Sequence, residues 1–448
     1  MPEPQVIDDQ EHERVFERVA AIDVGKASGV VCARAPHPSR PGVRRGTVWT
    51  VAATMGAVRA LAAQLAGLGV EKVTLESTSD YWRIWFYVLE EAGLDVQLVA
   101  ASQAKQLSGR PKTDRLDAMW LARLTEKGLL RASFVPPPQI RVLRHYARAR
   151  THLTGDRTRC YQRLEKLLED ALIKVSAVAS KLTTASARDM IAALIAGERD
   201  PHVLAGLARG RMKAKHAALA DALTGAFGDH HGELAALLLD QITFLDERIS
   251  QLSARISSQL AQIRDAWGID ADGTTGPAAG RGPDAAVLPA AARLDEIPGI
   301  SAEMAAAIIA ETGLDMTRFP TAGHLVSWAG LCPRAVQSGP RTRQARNQCS
   351  TYLRSQLGQA ATGAAKTTTF LGERHRRIAR RRGGAKAQVA VARSILVIIW
   401  HLLADPAARY TDLGPGHYDT TISKNRRTRS HIHQLQALGY TVTLTPAT

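Results

Sequence analysis

Cysteine is scarce in this chain: 448 residues carry four, Cys32, Cys160, Cys332 and Cys349, and none forms a CxxC pair. Spacing this wide suggests neither a disulfide framework nor a thiolate zinc site. Long apolar runs are missing too. The longest, SILVIIWHLLA from Ser394 to Ala404, is too short to cross a bilayer and predicts a buried helix. The opening MPEPQVIDDQEHERVF is acidic and polar where a signal peptide is basic and then apolar, so no export is expected and the cytoplasm fits. The chain shows no basic amphipathic helix with aromatic anchors and no lipidation motif, which argues against a membrane partner.

Positive charge is abundant. Lys and Arg number 58 against 42 Asp and Glu, a formal net charge of +16, so a polyanion is the expected partner and nucleic acid the first candidate. With 45% apolar residues the chain is long enough for two or three domains, each with its own core.

From Arg18 to about Ala53 the pattern favours strands: RVAAIDV and SGVVCARA flank a turn at Gly25, and GTVWTVAA follows. The period then changes to alternating helices and strands, with MGAVRALAAQLAGLG, EKVTLES, DYWRIWFYVLEEAG and LDVQLVAA in turn. Three antiparallel strands followed by βαβ units is the order of a ribonuclease H-like fold. The expected class is therefore α/β plus α, with the α/β domain at 1–135. Beyond VPPP strand signals nearly vanish. A basic helical pattern runs over 139–175, and a heptad seam carries Leu238, Ile242, Leu245, Ile249, Leu252, Ile256, Leu260 and Ile263. The seam predicts a partner, either the first long helix or another subunit, and 136–268 is expected to be a helical coiled-coil and multimerisation region.

A Gly/Pro/Ala stretch within 269–292 predicts a flexible linker, ahead of a mainly α-helical domain at 293–415 and a basic tail at 416–448. In LDEIPGISAEMAAAIIAETG the Pro298-Gly299 turn between two short helices resembles a helix-hairpin-helix unit, which binds phosphate without reading bases. ERHRRIARRRGGAK adds Arg376, Arg377, Arg380, Arg381 and Arg382 to the expected phosphate-binding surface.

Four acids stand out. Asp23 ends the first strand, Glu76 ends the next buried one, and Asp114 and Asp117 are neighbours on one face of the following helix. Hard oxygen ligands of this kind suit Mg²⁺ or Mn²⁺ and phosphodiester chemistry. Plainer roles exist for each: Asp114 complements a helix N-terminus, Asp117 pairs with a nearby arginine, and Asp23 and Glu76 serve a turn and a strand end.

AIDVGKASGVVCA, TLESTSDYWRIWFYVLEEAGLDVQLVAASQAKQLSGRPKTDRLDAMWLARL and LCPRAVQSGPRTRQARNQCSTYLRSQLGQAA together resemble the insertion-sequence transposases with a DEDD, RuvC-like N-terminal domain and a C-terminal transposase domain (the IS-one-ten family). The resemblance implies a metal site at Asp23, Glu76, Asp114 and Asp117. It implies a serine nucleophile at Ser338, with Arg341 and Arg343 placed to stabilise phosphorane charge, and Ser350 as a minor rival hydroxyl. It further implies donor and target DNA, a structured non-coding guide RNA, a homo-oligomer built as a dimer of dimers, and a place in the cytoplasm at the nucleoid. The competing expectations are a Holliday-junction-type nuclease using the same acids with water, a non-catalytic nucleic-acid-binding protein, and an actin-like phosphotransferase. The last lacks a later glycine-rich adenosine motif.

Overall fold

The structure is a computed structural model that describes residues 15–40, 43–77, 79–101, 113–179, 181–268, 287–332, 335–338, 341–344, 350–417 and 424–444. The chain divides into two compact units, Met1–Val135 and Pro136–Thr448.

In the first unit β1 (Val19–Val24), β2 (Ser28–Pro36) and β3 (Arg44–Ala52) form an antiparallel meander. Two further strands, β4 (Lys72–Ser77) and β5 (Val96–Ala100), continue the sheet parallel to β1, in the order β3-β2-β1-β4-β5. This is the ribonuclease H-like arrangement expected from the sequence. Ala20, Ile22 and Val24 share one face with Val73 and Leu75, and pack against Leu61 and Leu65 of α1 (Met55–Gly67) and Trp85 and Leu89 of α2 (Trp82–Glu91). On the opposite face Ala21, Cys32 and Val99 pack against Ala118, Leu121 and Ala122 of α3 (Asp114–Glu126). Burial on both faces is why β1 reads as a nearly continuous apolar run instead of an alternating one. Gly29 lies under the fully buried Trp85, where an added Cβ would meet the indole at 2.9 Å.

The second unit opens with two 33-residue helices, α4 (Pro138–Asp170) and, after four shorter helices, α9 (Asp229–Ala261). They run antiparallel, since Cys160 meets Gln241, Arg157 meets Asp246 and Arg150 meets Ser253. Pairing with α4 answers the question the heptad left open. Ile242, Ile249 and Ile256, seven apart, are buried, as are Leu260 and Ile263 where the seam ends, and Leu238, Leu245 and Leu252 are half-buried beside them. The short helices α5 (Val175–Val178), α6 (Ala185–Ile195), α7 (Pro201–Gly206) and α8 (His216–Leu223) close one end around Leu164, Leu168, Met190, Ile191, Leu219 and Phe227.

Residues 269–286 of the expected linker lie outside the described residues, and its last positions already begin α10 (Ala290–Asp295). Then come α11 (Ala302–Thr312), α12 (Ala322–Trp328), α13 (Thr351–Ala365), α14 (Phe370–Arg382), α15 (Gly384–Ala404) and α16 (Lys424–Ala437). Helix α15 is longer than the run that announced it, because GAKAQVAVAR extends it N-terminally to 21 residues, long and apolar enough to cross a membrane. Its buried side chains, among them Ala387, Val391, Ile395, Ile399 and Leu402, recur at helical spacing, and α10, α12, α13 and α14 pack around it as around a core helix. Within the mainly helical region expected here, the described residues include one strand pair that the sequence did not announce. Ala335–Ser338 (β6) and Arg341–Gln344 (β7) form an antiparallel hairpin. Four-residue strands are too short to produce a periodic signal in sequence.

Candidate active site

The parallel register of β1 against β4 ends on the pair Ile22 and Leu75, and Asp23 and Glu76 are the next residues of the two strands. Neighbouring strands lie about 4.8 Å apart, and Ile22 and Leu75 face α1 and α2, so the two acids face the α3 side. Glu76 is buried and Asp23 half-buried. Helix α3 brings the other pair. Its N-cap Thr113 accepts from the Leu116 amide at 3.3 Å, and Asp114 and Asp117 occupy the first turn, where carboxylates complement the helix dipole. At the other end of α3 the Thr125 hydroxyl contacts Thr74 of β4 at 2.7 Å, and Glu126 pairs with Arg34, which stands opposite Val19 at the start of β1, the strand parallel to β4. The helix therefore runs antiparallel to β4, and its acidic turn points toward the strand end that carries Asp23 and Glu76. All four sequence-identified acids thus belong to one edge of the first unit. Their donor set is oxygen only, which fits Mg²⁺ or Mn²⁺ and not a thiophilic ion.

Glu126, in the last turn of α3, is a member of the unit's polar core that sequence inspection missed. It is paired with Arg34 at 2.8 Å and Arg44 at 3.3 Å, both largely buried.

Among the described residues one group has three metal-ligand atoms all within 4.8 Å of one another, Asp170, His230 and His231, and it is a candidate divalent-metal cluster. It belongs to the second unit and includes none of the four acids above. His231 Nδ1 accepts from the Gly228 amide at 3.1 Å, which makes Nε2 the protonated nitrogen, 3.1 Å from Asp170. A cation there has to displace that bond, and its imidazole ligands suit transition metals better than Mg²⁺.

In the second unit Ser338 ends β6 directly opposite Arg341 of β7, and Val336 stands opposite Arg343. The connecting Gly339 and Pro340 lie outside the described residues. Ser350, the rival hydroxyl, is engaged structurally: it caps α13 by accepting from the Leu353 amide at 3.4 Å and donates to Glu311 at 2.8 Å. Glu311 is 3% exposed and receives both Arg148 Nε at 2.7 Å and Nη2 at 2.9 Å. Burial pushes its carboxyl up, but the Arg148 hydrogen bond, the charges of Arg144 and Arg148 and the Ser350 bond together hold it below the usual range. A single acid in the apolar run AAAIIAETG was the available signal for this site.

Much of the basic face of α4 is likewise used within its unit. Arg144 donates to the Ala310 and Glu311 carbonyls, Arg148 to Glu311, Arg150 to Ser253 and Arg157 to Asp246. Arg376 is tied to Glu373 at 2.9 Å and to the Thr367 carbonyl at 3.1 Å, whereas Arg380, Arg381 and Arg382 are exposed in the last turn of α14. Arg377 is half-buried. Gly299 sits in the turn between α10 and α11 with φ +91°, and an added Cβ would lie 2.2 Å from the Ala360 carbonyl oxygen. Its need for glycine therefore comes from the close approach of α13.

Residues 20–173 match a family model described as "Transposase" (DEDD_Tnp_IS110), and residues 291–376 match one described as "Transposase IS116/IS110/IS902 family". Two structures of RuvC from Thermus thermophilus, one in complex with a Holliday junction substrate, align at 16% identity and TM-score 0.21, covering 26% of this chain and 99% of theirs. No curated protein matches the chain. A ribonuclease H-like domain with a DEDD carboxylate set, followed by a helical transposase domain, defines a DEDD transposase. The two matches span just over half of the chain, and it belongs to the IS116/IS110/IS902 family of transposases.

Proposed function

We propose that this transposase cuts and rejoins DNA by Mg²⁺-dependent phosphoryl transfer through a covalent phosphoserine at Ser338. The observation that carries the proposal is the placement of Asp23, Glu76, Asp114 and Asp117 at one edge of a ribonuclease H-like sheet. When bound there, a divalent ion supplies charge stabilisation for a phosphodiester in transfer.

The serine hydroxyl attacks the scissile phosphorus, the new Ser–O–P bond forms, and the P–O bond to the departing strand breaks. The serine proton ends on the released strand hydroxyl. A hydroxyl from the strand to be joined then attacks the phosphoserine, restores the phosphodiester and returns the serine, so bond energy is kept and no nucleotide cofactor is consumed. In this reading Arg341, opposite Ser338 in the hairpin register, and Arg343 offset phosphorane charge. The exposed Arg380, Arg381 and Arg382 add affinity for phosphate backbone, as does Gly299's hairpin turn.

Donor and target DNA, a structured guide RNA, a dimer of dimers in which one subunit's carboxylates serve another's serine, and a place at the nucleoid in the cytoplasm extend the proposal on the strength of family membership. The division into domains at 136–268, 293–415 and 416–448 follows the same pattern.

The test is covalent trapping. The protein is incubated in Mg²⁺ with DNA carrying the sequences that flank its own gene and with RNA transcribed from the flanking non-coding stretch. After nuclease digestion, mass spectrometry is expected to place a nucleotide adduct on Ser338. Strand cleavage that persists undiminished in Ser338→Ala would overturn the serine step and favour the water-dependent nuclease.

A further inference from the structure

We propose that Gln97, Thr74 and Thr125 form a positioning chain that sets the depth of α3 against the sheet, and so the place of Asp114 and Asp117 relative to Asp23 and Glu76. This rests on the metal-site proposal above. Thr74 and Thr125 are fully buried. The Gln97 amide donates to Thr74 Oγ1 at 2.7 Å, the two threonine hydroxyls touch at 2.7 Å, and Thr125 Oγ1 lies 2.7 Å from the Leu121 carbonyl of its own helix. A carbonyl can only accept, so it takes the Thr125 proton, and Thr74 completes the contact with its own. Each hydroxyl then gives one hydrogen bond and receives one. The chain crosses from β5 through β4 into the backbone of α3 with no buried polar group left over.

The rest of the interface is poorly suited to fixing this depth. The helix presents Ala118, Leu121 and Ala122 to a sheet face formed by Ala21, Cys32 and Val99. Apart from Leu121 these side chains are small, and apolar contact is non-directional, so it holds the layers together without the directional constraint that a hydrogen bond puts on the depth of the helix. Glu126 is held by arginines whose long side chains follow small shifts. The hydroxyl pair is short and rigid. It sits on β4 two residues before Glu76 and on the same face, and on α3 two turns from Asp117. Metal coordination tolerates displacement of only about 0.2 Å, far less than the roughly 1.5 Å of a one-residue slide.

The experiment is an electron paramagnetic resonance titration of Mn²⁺ into the full chain without nucleic acid, in a His230→Ala background that removes the second cluster. Thr125→Val, which keeps volume and loses the hydroxyl, is expected to bind Mn²⁺ about tenfold more weakly. Thr125→Ser, which loses a methyl group and keeps the hydroxyl, is expected to retain parental affinity although its core is less filled. Thr74→Val removes the same contact from the strand side and repeats the test should Thr125→Val not fold. Parental Mn²⁺ affinity in the valine variants, with affinity lost in Asp23→Asn, would overturn the positioning role alone. Unchanged affinity in Asp23→Asn would overturn the metal site itself and the positioning role with it.

Discussion

Glu311→Gln is the most quantitative perturbation of the second unit. The wild-type carboxylate is almost fully buried and takes two Arg148 hydrogen bonds, at 2.7 and 2.9 Å, and one from Ser350 at 2.8 Å. Hydrogen bonds to charged groups contribute about 1.5–3 kcal/mol each. Glutamine keeps one oxygen and turns an N–H toward the guanidinium, so one of the Arg148 bonds becomes a donor–donor contact. Arg148 is 32% exposed and recovers part of its hydration, which trims the loss. The net destabilisation is expected to be about 2–4 kcal/mol, short of the roughly 3–5 kcal/mol that follows when a buried charge is left with no partner.

The effect depends on pH in a defined direction. The Glu311 carboxyl is held below its unfolded value, so its stabilisation is fully present above the ordinary carboxylate range and is lost as pH falls through the folded value. Urea unfolding of the full chain followed by circular dichroism is expected to show the widest gap between wild type and variant at neutral pH, closing in acid. Equal stability at neutral pH, or a gap unchanged in acid, would refute the reasoning.

Gly299→Ala should destabilise by more than about 2 kcal/mol in thermal unfolding, because alanine is strained at φ +91° and its methyl would lie 2.2 Å from the Ala360 carbonyl oxygen. Ile249→Ala, in the middle of the α4–α9 seam, should cost about 3 kcal/mol by the same assay, whereas Leu237→Ala at an exposed position should cost little. Ser350→Ala should lower stability by about 2–4 kcal/mol through the lost helix cap and the lost hydrogen bond to the Glu311 carboxylate, while leaving the yield of DNA adduct unchanged, as measured by denaturing gel.

The α/β domain was legible because its strands and helices are long enough for their periods to show, and because burial on both faces gives β1 a nearly continuous apolar run. The four acids were legible for a related reason: each stands at the end of such an element, where a charge in an otherwise apolar pattern is conspicuous. What escaped was long-range polar pairing. Nothing local in the sequence couples Glu311 to Arg148 or Glu126 to Arg34, so the basic pattern over 139–175 gave no sign that distant acids engage its arginines. The β6–β7 hairpin escaped because two four-residue strands carry almost no periodicity. The heptad told that α9 has a partner but could not say which, since the same seam serves a helix of the same chain or of another.

Diffraction from crystals soaked in Mn²⁺, using the metal's anomalous signal, tests the central claim most directly. A peak about 2.1–2.2 Å from carboxylate oxygens of both Asp23 and Glu76, with Asp114 or Asp117 completing the shell, is the expected result. A peak confined to Asp170, His230 and His231, with none at the strand edge, would contradict the account.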